Sequence, residues 1–406
     1  MLRRAAAGVA LCALSFGDPA GAQDSRTAIL EAERADKASK LQPYRPGKIE
    51  RALLYVERED PLHKIAPYNG LFVQYGFTGK PVGAGVGLGA GFRHDLFHRQ
   101  ARVVLEGGVT MRRYRLVRGD FSLPYLAGNR LEAGIELSDR HEPQEDFWGI
   151  GPTSLREDRV SFLMDRRELQ GRFVVKPFRG ARIGVRVGRL TPSIGHGTDV
   201  KYASIEERFS DADAPGLSVQ PGYTYRDVFV QHDDRDQPGN PRSGGFYSVT
   251  WRGYSDRDLK RYSFQRVDVD LQHFFPIFDK KRVIALRGRM SSTSPDDGHV
   301  VPFYFQPTLG GSDSLRSVRD YRFRDRNAIS MNAEYRWEAF SGLDMALFSD
   351  WGNVAPRAGD LDFRSVKHAY GIGFRFNTYR SVFIRIDVAT GAAESVSYFV
   401  KFNKAF

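Results

Sequence analysis

Apolar and polar residues alternate along most of the chain from residue 70 onward. Segment 327–339 is the clearest case, and segments 367–377 and 380–389 repeat its pattern. One face of 327–339 holds Ile329, Met331, Ala333, Tyr335 and Trp337, and the other holds Ser330, Asn332, Glu334, Arg336 and Glu338. A period of two is typical of a β-strand. Because charges occupy every second position in strand after strand, the pattern favours a barrel in lipid over a soluble sandwich.

The alternation predicts sixteen antiparallel strands. They cover 70–77, 82–94, 100–112, 113–124, 129–139, 159–177, 181–191, 222–233, 244–256, 261–275, 281–293, 327–339, 343–353, 367–377, 380–389 and 394–403. Short connections such as 178–180 and 340–342 alternate with long ones such as 192–221 and 294–326. We therefore predict an all-β fold, a transmembrane barrel with short periplasmic turns and long external loops.

The N-terminus resembles a cleavable signal peptide, which we expect to cover residues 1–22. Arg3 and Arg4 precede a short apolar stretch, and cleavage after Ala22 follows an A-x-A-like site. Cys12 offers a lipoprotein alternative, but the preceding Leu11 is bulky where a small residue is needed. Cleavage would leave a mature chain without cysteine, which excludes disulfides and thiolate metal sites.

Residues 23–69 differ from the barrel that we predict for 70–406. Ile49, Ala52, Leu53 and Val56 recur at helical spacing. We expect a short N-terminal helical segment in the periplasm, either entering the lumen or remaining a loosely ordered tail.

Composition supports a membrane protein and says little about chemistry. Mean hydropathy is −0.43 although 13% of the residues are aromatic, as expected when lipid-facing and lumen-facing residues alternate. The net charge of +11 suits contact with outer-membrane lipid or lipopolysaccharide, or an anion-attracting lumen. It suits solvated loops equally well. We expect no nucleic-acid partner.

Three segments carry a family resemblance. The first holds Gly310 and Gly311, with Arg316 five residues after Gly311, followed by Arg322-Phe323-Arg324-Asp325. The second is a turn between two predicted strands that contains Asp234, Arg235, Asp236, Pro241 and Gly244. The third is Phe348-Ser349-Asp350, and the stretch 147–154 adds to these. Together they resemble the barrels of the Omp85 superfamily, the group of BamA/TamA and the bacterial surface antigen D15.

The resemblance implies that the first segment is a loop folded into the lumen. It further implies that Arg316 is anchored near Phe348 and Asp350, although Ser317 and Val318 depart from the family's usual residues after this arginine. An arginine suits such an anchor because its guanidinium stays charged and has five donors. The alternative, that Arg316 and Asp350 face lumen water separately, stays open.

The family also suggests partners and a role. The final strand, with Phe402 and the terminal Phe406, resembles the signal by which barrel assembly machinery receives its substrates. Residues 23–69 are too few for a POTRA module, so we expect a branch of the family that lacks these modules. The resemblance implies insertion or translocation of protein or lipid through a weak seam between the first and last strands. A client polypeptide or a POTRA-bearing partner is then possible.

Other motifs do not support a different function. Gly85-x-Gly87-x-x-Ala90 matches a dinucleotide pattern, but no helix is predicted to follow it. His94 and His98 fall at a predicted turn, where solvated residues are the simpler interpretation than metal ligands. We expect no cofactor, no metal and no enzyme activity. A passive, anion-preferring pore or structural surface protein is the main alternative, and a surface enzyme with an unrecognised site is a third.

Overall fold

A computed structural model describes most of the predicted barrel. The described residues are 28–29, 31–36, 47–48, 51–52, 54–55, 69–75, 87–361, 365–378, 381–391 and 394–402. The predictions for Ala22, for 82–86 and for Phe406 lie outside these residues, as does the side chain of Phe402. The chain divides into two compact units, Met1–Lys48 and Ile49–Phe406. Within the described residues, no helix has the length and apolar character that crossing a bilayer requires.

Helix is a minor component of the described residues. Residues 28–29, 31–36, 48, 51–52 and 54–55 are helical. Leu126–Asn129 forms a single helical turn, and three short 3₁₀ turns lie at Ile205–Glu207, Phe303–Phe305 and Ala358–Asp360.

Eighteen strands account for most of the structure. They are β1 Gly70–Tyr75, β2 Gly87–Leu96, β3 Ala101–Thr110, β4 Arg115–Tyr125, β5 Leu131–Phe147, β6 Val160–Val175, β7 Ala181–His196, β8 Tyr223–Asp233, β9 Gly244–Asp256, β10 Phe264–Ile277, β11 Arg282–Pro295, β12 Thr308–Leu309, β13 Phe323–Arg324, β14 Asn327–Phe340, β15 Leu343–Ala355, β16 Lys367–Asn377, β17 Val382–Gly391 and β18 Glu394–Phe402. Sixteen of them form one sheet in chain order, and β12 pairs with β13 separately. All described pairings are antiparallel between neighbours, which confirms the predicted sixteen-stranded antiparallel barrel fold.

The sheet has an apolar outer face and a polar inner one. In β8, Val228 and Val230 are exposed, while Asp227 and Phe229, which alternate with them, are buried. The carboxylate of Asp227 accepts hydrogen bonds from Arg186 on β7 and Arg252 on β9, at 2.9 Å and 2.6 Å. Exposed valines and leucines over such a surface would be costly in water, and lipid removes that cost. The arrangement is therefore that of a barrel wall in a membrane.

Two strands extend furthest beyond their predicted ends. β5 ends at Phe147 instead of residue 139, and β7 ends at His196 instead of residue 191. Each extension contains a proline, Pro143 in β5 and Pro192 in β7. A proline in the sequence normally indicates that a strand ends nearby. Pairing with β6 outweighs this signal: β5 continues through a register shift between Glu142 and Glu145.

Aromatic side chains fill the barrel at its long-loop end. The buried cluster includes Phe147, Phe162, Tyr223, Tyr254, Phe264, Phe303 and Phe305. The ring of Phe303 lies edge-on to those of Phe147 and Phe162, with centroids 5.1 Å and 5.2 Å apart. Because Phe303 belongs to the long connection between β11 and β14, the cluster binds that connection to the wall.

Candidate functional site

The connection 296–326 between β11 and β14 folds into the interior, and we call it the plug loop. Its buried apolar residues pack against inward-facing residues of three strands. These are Leu309, Leu315, Val318 and Phe323 in the loop, with Ala328, Val354 and Ala369 on the strands. Gly310 and Gly311 have φ of +130° and +84°, a backbone region that favours glycine. Both glycines of the sequence motif thus serve the reversal of the chain.

Arg316 is the anchor of the plug loop. Its side chain is 1% exposed, and it forms a two-point contact with Asp350 on β15. Nε donates to Oδ2 at 2.8 Å, and Nη2 donates to Oδ1 at 2.6 Å. The guanidinium carbon also lies 3.5 Å from the ring centroid of Phe348. The structure therefore brings Arg316, Phe348 and Asp350 together.

A larger buried charge network surrounds this contact. Its arginines are Arg316, Arg336, Arg375 and Arg385, and its acids are Glu334, Asp350 and Asp387. Glu334 on β14 accepts from Arg316 at 2.5 Å and from Arg375 at 3.0 Å. Asp387 on β17 accepts from Arg375 and Arg385 at 2.8 Å and 2.7 Å. Glu334 and Asp387 each pair with more than one arginine, and Asp350 holds the plug loop through Arg316. Removing any one of these acids would therefore leave a buried arginine without a carboxylate that it contacts now.

The network stabilises the charge on Arg316. Burial alone disfavours a cation, but the carboxylates of Asp350 and Glu334 more than compensate and hold the pKa of Arg316 above its ordinary value. Glu334, Arg375, Arg385 and Asp387 were not predicted as site residues. The sequence contained a signal for them, because each is a charged residue on the polar face of a strand in which apolar and polar residues alternate.

Carbonyl groups of the plug loop also accept hydrogen bonds from side chains on the wall strands β14, β17 and β18. Asn332 on β14 donates to the carbonyl of Ser314 at 2.6 Å, and Arg385 on β17 donates to that of Ser312 at 3.3 Å. Ser397 on β18 donates to the carbonyl of Ser317 at 3.0 Å. The tip of the loop is therefore bonded to the last strand of the sheet.

The second half of the loop motif contacts a different part of the wall. Arg322 donates to the carbonyl of Ser154 at 2.9 Å, and the N–H of Gly151 donates to the carbonyl of Arg324 at 2.7 Å. Burial lowers the pKa of Arg324 to about 10, only partly offset by Tyr321 and Glu145. Arg322 and Arg324 thus tie the loop to the stretch 147–154, whereas Phe323 packs with the apolar residues of the loop. The carboxylate of Asp325 accepts a hydrogen bond from the next backbone N–H, that of Arg326, at 2.7 Å.

The turn motif lies between β8 and β9. The carboxylate of Asp236 accepts from the backbone N–H of Arg242 and Ser243 and from Lys280 Nζ, at 3.0, 3.2 and 2.9 Å. Burial raises the pKa of Asp236, but these donors outweigh it and hold the pKa at about 2. Asp234 accepts from the N–H of Gly245 at 2.6 Å. The turn is thus a rigid, internally bonded unit.

The remaining turn residues have local roles. Arg235 pairs with Asp233 at 2.7 Å, and Pro241 is buried. At Gly244, φ is +85°, and a Cβ would lie 2.3 Å from the carbonyl oxygen of Asp234. This position therefore requires glycine.

Arg242, which was not predicted as a site residue, connects the turn to strands that are distant in sequence. Its Nη2 donates to both carboxylate oxygens of Asp344 on β15, at 3.0 Å and 2.9 Å. The carbonyl of Gly239 accepts from the N–H of Val382 on β17 at 2.9 Å. The turn between β8 and β9 therefore contacts the C-terminal strands at the end opposite the aromatic cluster.

These features define a class: a transmembrane β-barrel of sixteen strands whose interior holds an arginine-anchored loop. Residues 223–394 match the Omp85 superfamily domain. The fold is similar to that of BamA from Haemophilus ducreyi lacking POTRA domains 1–3, with a TM-score of 0.59 and 14% identity over 82% of this chain and 69% of that one. The matched part of the chain, residues 223–394, is therefore an Omp85 superfamily domain within a BamA-like β-barrel fold.

A second solved structure has the same fold. CdiB from Escherichia coli is 12% identical, with a TM-score of 0.50 over 84% of this chain and 68% of that one. No curated protein matches the chain in sequence.

Replacing Arg316 by Ala is expected to destabilise the folded barrel by about 3–5 kcal/mol, because Asp350 and Glu334 would lose a buried cation. Arg316→Lys should recover part of this loss, since lysine restores the charge but not the two-point contact. Urea unfolding of the refolded protein measures both changes. As a matched control, Arg167→Ala removes an arginine that is 81% exposed and should cost under about 0.5 kcal/mol. Equal effects of the two alanine variants would contradict a special role for Arg316.

The low pKa of Asp236 predicts a stability difference that depends on pH. The ionised carboxylate stabilises the turn above the unfolded pKa of about 4, and this contribution disappears as pH falls through the folded pKa of about 2. The free energy of unfolding of wild type should exceed that of Asp236→Asn most at pH 5, by up to about 2 kcal/mol. The gap should narrow toward pH 2. A gap that stays constant from pH 5 to pH 2 would show that ionisation of Asp236 does not contribute.

Proposed function

We propose that this barrel acts in the insertion or translocation of protein or lipid at the outer membrane. One observation carries the proposal: the plug loop is bonded both to the buried Asp350 and, through Ser317, to Ser397 on the last strand. A displacement of β18 therefore disturbs the loop that fills the lumen. Opening of a seam at β18 and displacement of the plug loop from the lumen are therefore mechanically connected.

The seam would lie between β1 and β18, the two ends of the sheet. Within the described residues, β1 has six residues, each paired with β2, so it offers few hydrogen bonds to hold an edge in place. An exposed strand edge has unpaired N–H and C=O groups and is a natural template for an incoming strand. In this proposal, separation of β1 from β18 lets a client strand pair there or lets lipid cross a thinned bilayer.

The partners follow from this role. The chain would be exported by its signal peptide, assembled by the barrel assembly machinery and embedded in outer-membrane lipid and lipopolysaccharide. Its client would be a polypeptide or a lipid, and a separate POTRA-bearing protein would deliver it. The role is one of passage and templating, without enzyme activity.

A passive anion-preferring pore is the second candidate, supported by lumen arginines beside polar cavities. One cavity next to the plug loop is lined by Arg266 and Arg289, by the carboxylates Asp268 and Asp270, and by several serines. A steady current would require ions to pass the loop and the aromatic cluster while both stay in place. The two functions therefore differ in how conductance depends on the Arg316 anchor.

Single-channel conductance in planar bilayers separates these functions. For an insertion or translocation barrel we expect small, fluctuating openings in wild type and larger, more frequent ones in Arg316→Ala, because the plug loop is released. Arg167→Ala, which leaves the loop anchored, should resemble wild type. A large, steady, anion-selective current that is the same in all three proteins would support the pore instead.

A disulfide tests whether the loop and the last strand move together. In Ser317→Cys/Ser397→Cys, oxidation joins the plug loop to β18, and Cys12 is the only other cysteine in the sequence. We expect oxidation to suppress the fluctuating openings and reduction to restore them within the same membrane. Each single cysteine variant serves as the control for oxidation alone. Openings that continue unchanged in the oxidised double variant would refute the mechanical connection.

A further inference from the structure

The short turns at the end opposite the aromatic cluster share a pattern that the proposed function does not use. Three of them present a phenylalanine to the outside: Phe97, Phe178 and Phe278 are 72%, 66% and 69% exposed. Aromatic residues at this level are typical of the membrane interface, where a girdle surrounds the barrel. Burial in a neighbouring element does not explain their positions.

Basic residues accompany each of these phenylalanines. Segments 97–100, 176–180 and 278–282 contain six Lys or Arg residues and one carboxylate, which are Arg99, Lys176, Arg179, Lys280, Lys281, Arg282 and Asp279. Lys176 and Lys280 are engaged by Glu132 and Asp236. This end of the barrel therefore offers excess positive charge beside apolar rings, a combination that suits anionic lipid.

The turn between β10 and β11 is the best-formed example. The guanidinium carbon of Arg282 lies 5.1 Å from the ring centroid of Phe278, and Arg282 is directly opposite Trp337 in the ladder with β14. Arg282 is exposed, as is Ile284, the next residue on the same face of β11. A cation is thus held on the outer wall just below the apolar band, over the ring of Phe278 and opposite Trp337 in the ladder.

Within the described part of the chain, nothing neutralises this pair of charges. The carboxylates of Asp279, in the same turn, and Glu338, on the paired strand, form no ion pair with Lys281 or Arg282. Glu338 contacts the turn through its backbone, donating its N–H to the carbonyl of Lys281. An aromatic girdle alone requires no charge, so two unpaired cations at this position favour an anionic ligand.

We propose that Lys281 and Arg282, with Phe278 and Trp337, form a binding site for the phosphate of an anionic phospholipid such as phosphatidylglycerol. The rings lie along the acyl chains, and the two cations face the headgroup. The short turns of an outer-membrane barrel face the periplasm, where the leaflet consists of phospholipid. The site therefore takes phospholipid and not lipopolysaccharide, and it stands independently of any client.

Titration of phosphatidylglycerol into the full-length protein in phosphatidylcholine nanodiscs, with bound lipid counted by native mass spectrometry, tests the site. We expect wild type to retain phosphatidylglycerol in preference to phosphatidylcholine. Lys281→Ala/Arg282→Ala should weaken retention roughly 25-fold, because each basic residue near the headgroups contributes a factor of about five. Lys281→Arg/Arg282→Lys should retain the preference, since it keeps both charges.

Arg112→Ala/Arg113→Ala is the matched control, because it removes two exposed arginines from the turn at the other end of the barrel. It should leave phosphatidylglycerol retention at the wild-type level, and inorganic phosphate should not compete. An equal loss in both alanine variants would mean unspecific attraction and overturn the site. Displacement by inorganic phosphate, or retention of lipopolysaccharide alone, would overturn the phospholipid assignment. Heat-modifiable migration on gels confirms that each variant is folded.

Discussion

The buried guanidinium of Arg316 is the interaction on which the interior of this barrel depends. A cation that is 1% exposed persists only with carboxylates around it, and Asp350 and Glu334 supply them. Those carboxylates in turn need Arg316, because it is the cation that Asp350 binds and because Glu334 shares Arg375 with Asp387. The plug loop is therefore held by mutual dependence of charges. Such a network has one satisfied arrangement, and leaving it requires several ion pairs to break together.

This network joins parts of the barrel that are distant along the chain. The C-terminal strands β14 to β18 supply most of the wall partners of residues 312–317, from Asn332 to Ser397, and Arg289 on β11 donates to the carbonyl of Asp313. The first half of the barrel instead meets the loop through Arg322 and through the aromatic contact of Phe303 with Phe147. The loop consequently bridges the two halves: its charged anchor is on the C-terminal strands, and its aromatic contacts reach the first half. The ion pairs of Arg316 fix the position of the plug loop, and the aromatic cluster packs around the loop at the long-loop end of the barrel.

The strands and the anchor were accessible from the sequence for different reasons. Strand positions follow from a period of two that lipid and lumen impose on every strand, so all sixteen were predicted. Arg316 was accessible only through a resemblance in spacing. The partnership of Glu334, Arg375 and Asp387 was not, because it depends on which strands face one another across the lumen. The contact of Arg242 with Asp344 joins residues 102 positions apart, and local pattern does not encode it.

Two independent contacts converge on the same strands from opposite ends. β15 carries Asp350, which holds the plug loop, and Asp344, which holds the turn through Arg242. Six residues of strand separate these carboxylates, about 20 Å along the wall. β17 repeats the arrangement, with Val382 bonded to the turn and Arg385 bonded to the loop. A shift of either strand along its axis must strain both ends at once. The C-terminal wall is thus the element through which the turn side and the plug loop can influence each other.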